Sequence, residues 1–116
     1  MFFRNFFLLR NKKKDKSAFT YTGLESLSSL TEVPKDIGDT IYIVENGKRR
    51  KWVVFRCPNN CGTRVEVNLM KTRRPFWVLK TKGEKISLSP SIVVNTCGAH
   101  FWLIDNKIIW AVFDND

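Results

Sequence analysis

The sequence predicts a mostly β fold built from short strands joined by hairpins. Segments rich in β-branched and aromatic residues recur between residues 40 and 113. Turn signals separate these segments, among them Asn46-Gly47, Lys82-Gly83 and Asp105-Asn106. No long helical repeat of apolar residues follows residue 39. These three observations together indicate a small antiparallel β domain.

Each predicted strand has an apolar or alternating pattern bounded by turn residues. Pro90 is expected to end the strand before it, because proline cannot donate to a ladder. Leu24, Leu27 and Leu30 are spaced by three, which indicates a short helical turn within a Ser/Thr-rich segment. The strands are predicted at Thr40–Glu45, Lys51–Arg56, Thr63–Leu69, Phe76–Lys80, Lys85–Leu88, Ser91–Asn95, Phe101–Ile104 and Lys107–Phe113.

Length and composition limit the organisation of the chain. Its 116 residues suffice for one modest core, and 43% hydrophobic with 27% charged residues is a globular composition. A multidomain enzyme and a membrane-spanning protein are excluded by this size and patterning. We expect a basic aromatic N-terminal arm over residues 1–16 and a single β domain over residues 17–116.

The net charge of +9 is concentrated in the arm, which holds six basic residues and one acid. Docking onto the domain or a partner, lying at a membrane surface, and remaining a disordered tail are all open alternatives for it. Further basic residues lie at Lys48–Lys51 and Arg73-Arg74. This pattern is compatible with solvated charges around turns and also with a face that contacts phosphate or an acidic partner.

All three cysteines and the single histidine fall into two tight clusters. Cys57 and Cys61 form one, and Cys97 with His100 forms the other. Each cluster lies between two predicted strands, and a glycine follows Cys61 and Cys97, which is typical of the two turns of a zinc ribbon. The sequence therefore predicts one structural Zn²⁺ held by Cys57, Cys61, Cys97 and His100 in a zinc-ribbon-like domain. Free thiols that bind metal also indicate a reducing, cytoplasmic location.

Nucleophilic catalysis has little support in the sequence. His100 is the only imidazole, so a Ser–His or Cys–His pair would have to dismantle the predicted zinc site. No phosphate-binding or dinucleotide-binding fingerprint is present. Unliganded buried cysteines, or an open zinc site that activates water, are the remaining interpretations of the clusters.

The four tryptophans fall in or beside predicted strands, and core packing is their simplest role. A stacking surface for single-stranded nucleic acid, supported by Arg73 and Arg74, is the alternative.

The ordered set of motifs resembles a bacterial family of small proteins. That family has a cysteine-rich CG turn, a SLxPSI segment, and a Cys-x-x-His followed by an aromatic strand and a terminal hairpin. Relatives carry a further cysteine where this chain has Asn59. The resemblance rests on Asp39–Val44, Phe55–Gly62, Ile86–Ile92, Cys97–Ile104 and Lys107–Trp110.

The resemblance implies a zinc-binding ribbon encoded beside ubiquitin-like conjugation genes, in operons associated with defence against phage. From it we expect a non-enzymatic adaptor or ligase-like accessory protein. The expected partners are a ubiquitin-like modifier or its activating and conjugating enzymes. A zinc-ribbon nucleic-acid-binding protein is the alternative function. No small-molecule substrate is inferred, and a membrane surface is not favoured as a partner.

Overall fold

The computed structural model describes residues 19–111, so the predicted arm over residues 1–16 lies outside the described residues. The described part contains eight strands and one short 3₁₀ turn. In chain order these are β1 (Gly23–Leu27), the 3₁₀ turn (Leu30–Glu32), β2 (Thr40–Asn46), β3 (Arg49–Arg56), β4 (Arg64–Asn68), β5 (Val78–Lys82), β6 (Lys85–Val94), β7 (Ala99–Ile104) and β8 (Lys107–Trp110).

The strands form two four-stranded sheets, each in sequential order. Sheet 1 has the order β1-β2-β3-β4 and sheet 2 has the order β5-β6-β7-β8. Every pairing is antiparallel except that of β1 with β2, which is parallel. The prediction of a mostly β, largely antiparallel domain of short strands and hairpins is confirmed.

Strand β1 was not predicted. Its register pairs Gly23 with Thr40, and a Cβ atom at Gly23 would lie 2.6 Å from Thr40 Oγ1. Glycine is therefore the residue that lets the two backbones approach here. Of the leucines read as a helical turn, only Leu30 belongs to the 3₁₀ turn, whose first residues are capped by the side chain of Ser29.

Strand β6 continues through Pro90, contrary to the expectation that Pro90 ends it. Leu88 pairs with Leu103 and Ile92 pairs with Phe101, so the residues between Leu88 and Ile92 bulge away from regular pairing with β7. Proline is tolerated at a bulge because no ladder hydrogen bond is required of it there. The bulge leaves Ser91 opposite β7 near the middle of sheet 2.

The two sheets share one core. Phe55 on β3 and Phe101 on β7 are fully buried, with ring centroids 6.2 Å apart in an edge-to-face arrangement. A second cluster covers the other face of sheet 1, where Val33 and Ile37 from the segment before β2 pack on Tyr42 and Val54. The other face of sheet 2 has no such cover from the described residues and is considered further below.

Tyr21 links the two sheets. Its backbone N–H donates to Asn106 O in the turn between β7 and β8, while its hydroxyl donates to Arg56 O on β3. The side chain is 1% exposed, and burial raises the pKa of the phenol far above its usual value. Removing the hydroxyl would leave the Arg56 carbonyl without this donor.

Within residues 19–111, no helix has the length and apolar character needed to cross a membrane.

We expect Tyr21→Phe to lower the free energy of unfolding by about 1–2 kcal/mol, because the partly buried Arg56 carbonyl loses its donor. Urea denaturation followed by fluorescence measures the change. Tyr42→Phe is the matched control, since Tyr42 is also buried and its hydroxyl makes no hydrogen bond within the described residues. Equal losses in the two variants would contradict the role of Tyr21 as a hydrogen-bonded link.

Candidate functional site

The turn between β3 and β4 brings Cys57 and Cys61 together. Cys57 N donates to Thr63 O at 2.9 Å, and Asn60 N donates to Cys57 O at 3.2 Å. Asn60 and Gly62 have φ of 59° and 85°, the left-handed values that let so short a turn close. The local sequence thus folds the two thiols toward the same point.

The turn between β6 and β7 supplies Cys97. Gly98 N donates to Val94 O at 2.7 Å, and Gly98 has a φ of 77°. The two turns come from different sheets, and the shared core holds them side by side. The sequence predicted that these two turns lie together, and the three sulfur atoms are close to one another where they meet.

The three thiols form a compact cluster with the ligand geometry of a metal site. The three sulfur atoms lie within 4.8 Å of one another, and Cys57 Sγ is 3.7 Å from Cys97 Sγ. Two thiolates on one tetrahedral zinc ion, with bonds of about 2.3 Å, lie about 3.8 Å apart. The thiols are not joined by disulfides. Donor type and spacing therefore fit three corners of a zinc site.

The environments of the thiols differ. Burial raises the pKa of Cys57 to about 12, whereas a hydrogen bond to Thr63 lowers the pKa of the exposed Cys61 to about 6. The Cys61 sulfur lies 3.1 Å from Thr63 Oγ1, which in turn lies 2.6 Å from Thr96 Oγ1 of the other turn. The cluster thus has one thiol facing solvent beside two hydroxyl groups and one in the core.

His100, the predicted fourth ligand, is not part of this cluster. Its Nε2 lies 2.8 Å from the hydroxyl oxygen of Ser91, and its ring stacks on Trp102 with centroids 6.0 Å apart. The structure therefore brings three of the four predicted ligands together and pairs the fourth with a serine.

Strand register explains the Ser91–His100 contact. Val93 pairs with His100 across β6 and β7, and side chains two residues apart on a strand share a face. Ser91 is thus a diagonal neighbour of His100 on the outer face of sheet 2. Sequence reasoning missed Ser91 because Pro90 was expected to end the strand. The contact with His100 instead requires that β6 continue past Pro90 through a bulge.

A second set of hydrogen bonds fixes the backbone at Ser91. The indole Nε1–H of Trp77 donates to Ser91 O at 3.1 Å. Trp77 is itself held by Asn68, whose carbonyl accepts from Trp77 N at 2.8 Å. The buried Asn68 amide also donates to the carbonyls of Met70, Arg73 and Pro75. The Asn68 side-chain amide thereby holds the loop between β4 and β5, and Trp77 at the end of this loop donates to the Ser91 carbonyl.

This arrangement has the chemistry of nucleophilic catalysis. A serine hydroxyl within hydrogen-bond distance of an imidazole nitrogen can lose its proton as it attacks a carbonyl carbon. Both side chains are partly exposed on the outer face of sheet 2, so a substrate can reach them.

Comparison with protein families assigns the larger part of the chain to a family. Residues 29–111 match the model of BubE, described as bacterial ubiquitination-like system serine protease. No curated protein and no solved structure matches the chain. The match spans the 3₁₀ turn, both sheets after β1, the thiol cluster and the Ser91–His100 pair.

We expect Trp77→Phe to lower the free energy of unfolding by about 1 kcal/mol through loss of the indole donor to Ser91 O. Trp52→Phe removes the same ring atoms from a half-buried tryptophan whose indole has no hydrogen bond in the described part of the chain. Chemical denaturation of both variants measures the difference. A loss for Trp77→Phe no larger than for Trp52→Phe would contradict the assignment.

Proposed function

The chain belongs to the BubE family of bacterial ubiquitination-like systems, and on that premise we propose that it is a serine protease in which Ser91 is the nucleophile and His100 the general base. The observation that carries the proposal is the 2.8 Å separation of Ser91 Oγ and His100 Nε2. We propose as its substrates the amide bonds that join a ubiquitin-like modifier to other polypeptides.

The reaction follows from the protonation states of the pair. With the imidazole proton on Nδ1, Ser91 Oγ donates to His100 Nε2. Ser91 Oγ then bonds to the substrate carbonyl carbon while its proton passes to His100. The imidazolium returns that proton to the leaving amine as the C–N bond breaks, which leaves an ester on Ser91. Water, deprotonated by His100, hydrolyses the ester and restores the hydroxyl.

Neighbouring groups position the pair. Trp77 holds the backbone carbonyl of Ser91, and Trp102 stacks on the imidazole of His100. A nucleophile and base held in one geometry before substrate arrives lose less entropy in the transition state.

A zinc ion bound by Cys57, Cys61 and Cys97 is proposed as a structural element of the same protein. Zinc, when bound, would crosslink the β3–β4 turn of sheet 1 to the β6–β7 turn of sheet 2. The sequence prediction also assigned His100 to the ion, and the role of His100 as base competes for that imidazole. Zinc content of cysteine and histidine variants separates a three-thiolate set from the four-ligand set.

The adaptor or ligase-like role predicted from the sequence is a second candidate. Apolar side chains exposed on sheet 2, such as Trp102 and Ile109, favour a protein-binding surface whether or not catalysis occurs there. A ubiquitin-like modifier or its activating and conjugating enzymes are the partners proposed for either role. Free thiols support the predicted cytoplasmic location. Nucleic-acid binding stays a prediction, and Trp102, at 39%, is the most exposed of the four tryptophans.

We expect the purified chain to hold one zinc ion and Cys57→Ser to lose it, because a buried thiolate is replaced by a weaker ligand. His100→Asn should keep the metal if the three thiolates suffice. Elemental analysis of both proteins measures the result. Metal lost from His100→Asn to the same extent would favour the four-ligand set and contradict the assignment of His100 as base.

We expect a fluorophosphonate to label Ser91, and Ser91→Ala or His100→Asn to reduce peptide-bond hydrolysis by at least about a thousandfold. Mass spectrometry of the labelled protein and cleavage of modifier conjugates are the measurements. Ser89→Ala removes the same hydroxyl from the same strand and should retain activity. Conjugate cleavage unaffected by Ser91→Ala would contradict the protease assignment, and binding without labelling or cleavage would favour the adaptor.

A further inference from the structure

The outer face of sheet 2, opposite the core, is unusually apolar. Strand alternation assigns the exposed large hydrophobic side chains of the described residues to this face, which also carries Ser91 and His100. Their exposed fractions are large for apolar groups: Val78 46%, Val93 54%, Trp102 39%, Ile104 45% and Ile109 44%. An apolar patch concentrated around a reactive pair marks an interaction surface rather than scattered surface residues.

The strand register arranges this face in rows. Trp102 pairs with Ile109 beside the bulge that carries Ser91, so apolar side chains flank the nucleophile. Ile104 pairs with Lys107 in the next row of the same face. The patch therefore changes from apolar to basic along the direction of the strands.

Four lysines form the basic end. Lys80 and Lys82 extend outward from β5, Lys82 pairs with Lys85 of β6, and Lys107 begins β8. All four are exposed, and none forms an ion pair with an acid of residues 19–111. The acids nearest in sequence are Glu84 and Asp105 in the adjoining turns. This end of the face thus has an excess of positive charge.

Building on the proposed function, we infer that this outer face binds an extended segment of the substrate. That segment has an apolar residue next to the cleaved bond and carboxylates two to four residues away from it. The spacing comes from the rows. Lys107 lies two residues from Ile109, about 7 Å along the sheet, and the Lys82–Lys85 pair lies about 13 Å from the Ser91 row at about 3.3 Å per residue. An extended peptide over the face has the same rise per residue.

Charge and position together favour a polypeptide over other occupants. The lysines would pair with carboxylates at an exposed surface, where their attraction is screened by salt. The reactive serine in the apolar part requires that the occupant present an amide bond there. An anionic membrane or a second copy of this chain would also cover apolar and basic groups, and each is tested as an outcome.

The test uses the full chain with Ser91→Ala, so that binding is measured without cleavage. The probes are fluorescein-labelled ten-residue peptides with a Leu/Phe block followed by a Glu block, the same blocks in reverse order, and versions with every Glu replaced by Gln. We expect a Glu peptide to bind at least tenfold more tightly than its Gln version at low salt, with the difference lost at high salt. Fluorescence anisotropy measures the affinities.

Two variants locate the binding. Lys80→Glu combined with Lys107→Glu should weaken the Glu peptide at least tenfold and leave the Gln peptide unchanged. Ile109→Ser should weaken both peptides. Lys35→Glu combined with Lys48→Glu, two exposed lysines outside sheet 2, is the charge-matched control and should have no effect. Circular dichroism of each variant verifies the fold.

The inference is overturned if Glu and Gln peptides bind alike, or if the Lys35→Glu, Lys48→Glu control has the same effect as the Lys80→Glu, Lys107→Glu variant. It is also overturned if anionic vesicles or self-association account for the lysine dependence. Its failure is distinct from that of the protease assignment. Fluorophosphonate labelling of Ser91 with no peptide discrimination would reject the docking face alone. Peptide discrimination without labelling or cleavage would reject the protease and leave the docking face.

Discussion

The pairing of β6 with β7 is the constraint on which the rest of the molecule depends. Its register, Val93 with His100 and Val94 with Ala99, assigns Phe101 and Leu103 to the core and His100 to the outer face. A slip of one residue would reverse those faces, burying an imidazole and exposing a phenylalanine. Since Phe101 and Leu103 are fully buried, core packing fixes the register, and the position of the Ser91–His100 pair follows from it.

The same pairing couples the thiol cluster to the reactive pair. The turn that carries Cys97 connects β6 to β7, and His100 follows Cys97 by three residues. Whatever holds the three sulfurs together also holds the end of this hairpin against sheet 1. In the proposed protease, the cluster would act on the Ser91–His100 pair through the backbone of this hairpin, without direct contact with the serine.

The sequence was informative where structure is local and uninformative where it depends on register. Hairpin strands such as Thr40–Asn46 and Lys107–Trp110 were found because alternating residues and turn dipeptides are adjacent in the chain. The three cysteines were found because each of their two turns lies between predicted strands, and the zinc-ribbon pattern places two such turns side by side. Ser91 and β1 were missed, since one depends on a bulge that carries a strand through Pro90 and the other on a parallel pairing made possible by Gly23.

The position of the single histidine depends on its strand as well as on its spacing from Cys97. Cys97 and His100 have the spacing of a zinc knuckle, but residues three apart along a chain share a turn only if the chain does not enter a strand between them. Here β7 begins at Ala99, which carries His100 away from the turn and onto the sheet surface.

Exposing an apolar sheet face carries a risk of association that the chain opposes at its edges. Sheet 2 has two edge strands, β5 and β8. Lys80 and Lys82 lie on the outer face of β5, while β8 is partly covered by the segment before β1, where Thr20 forms a bridge to Lys107 and Ile108 N donates to Phe19 O. Charged edge residues discourage another strand from pairing there. The lysines can thus have two effects, because the positive charge that repels the same face of a second copy also attracts an acidic segment. Trp102 can then stay exposed on the central strand β7, which lies between β6 and β8 and so offers its side chains for contact and no free strand edge.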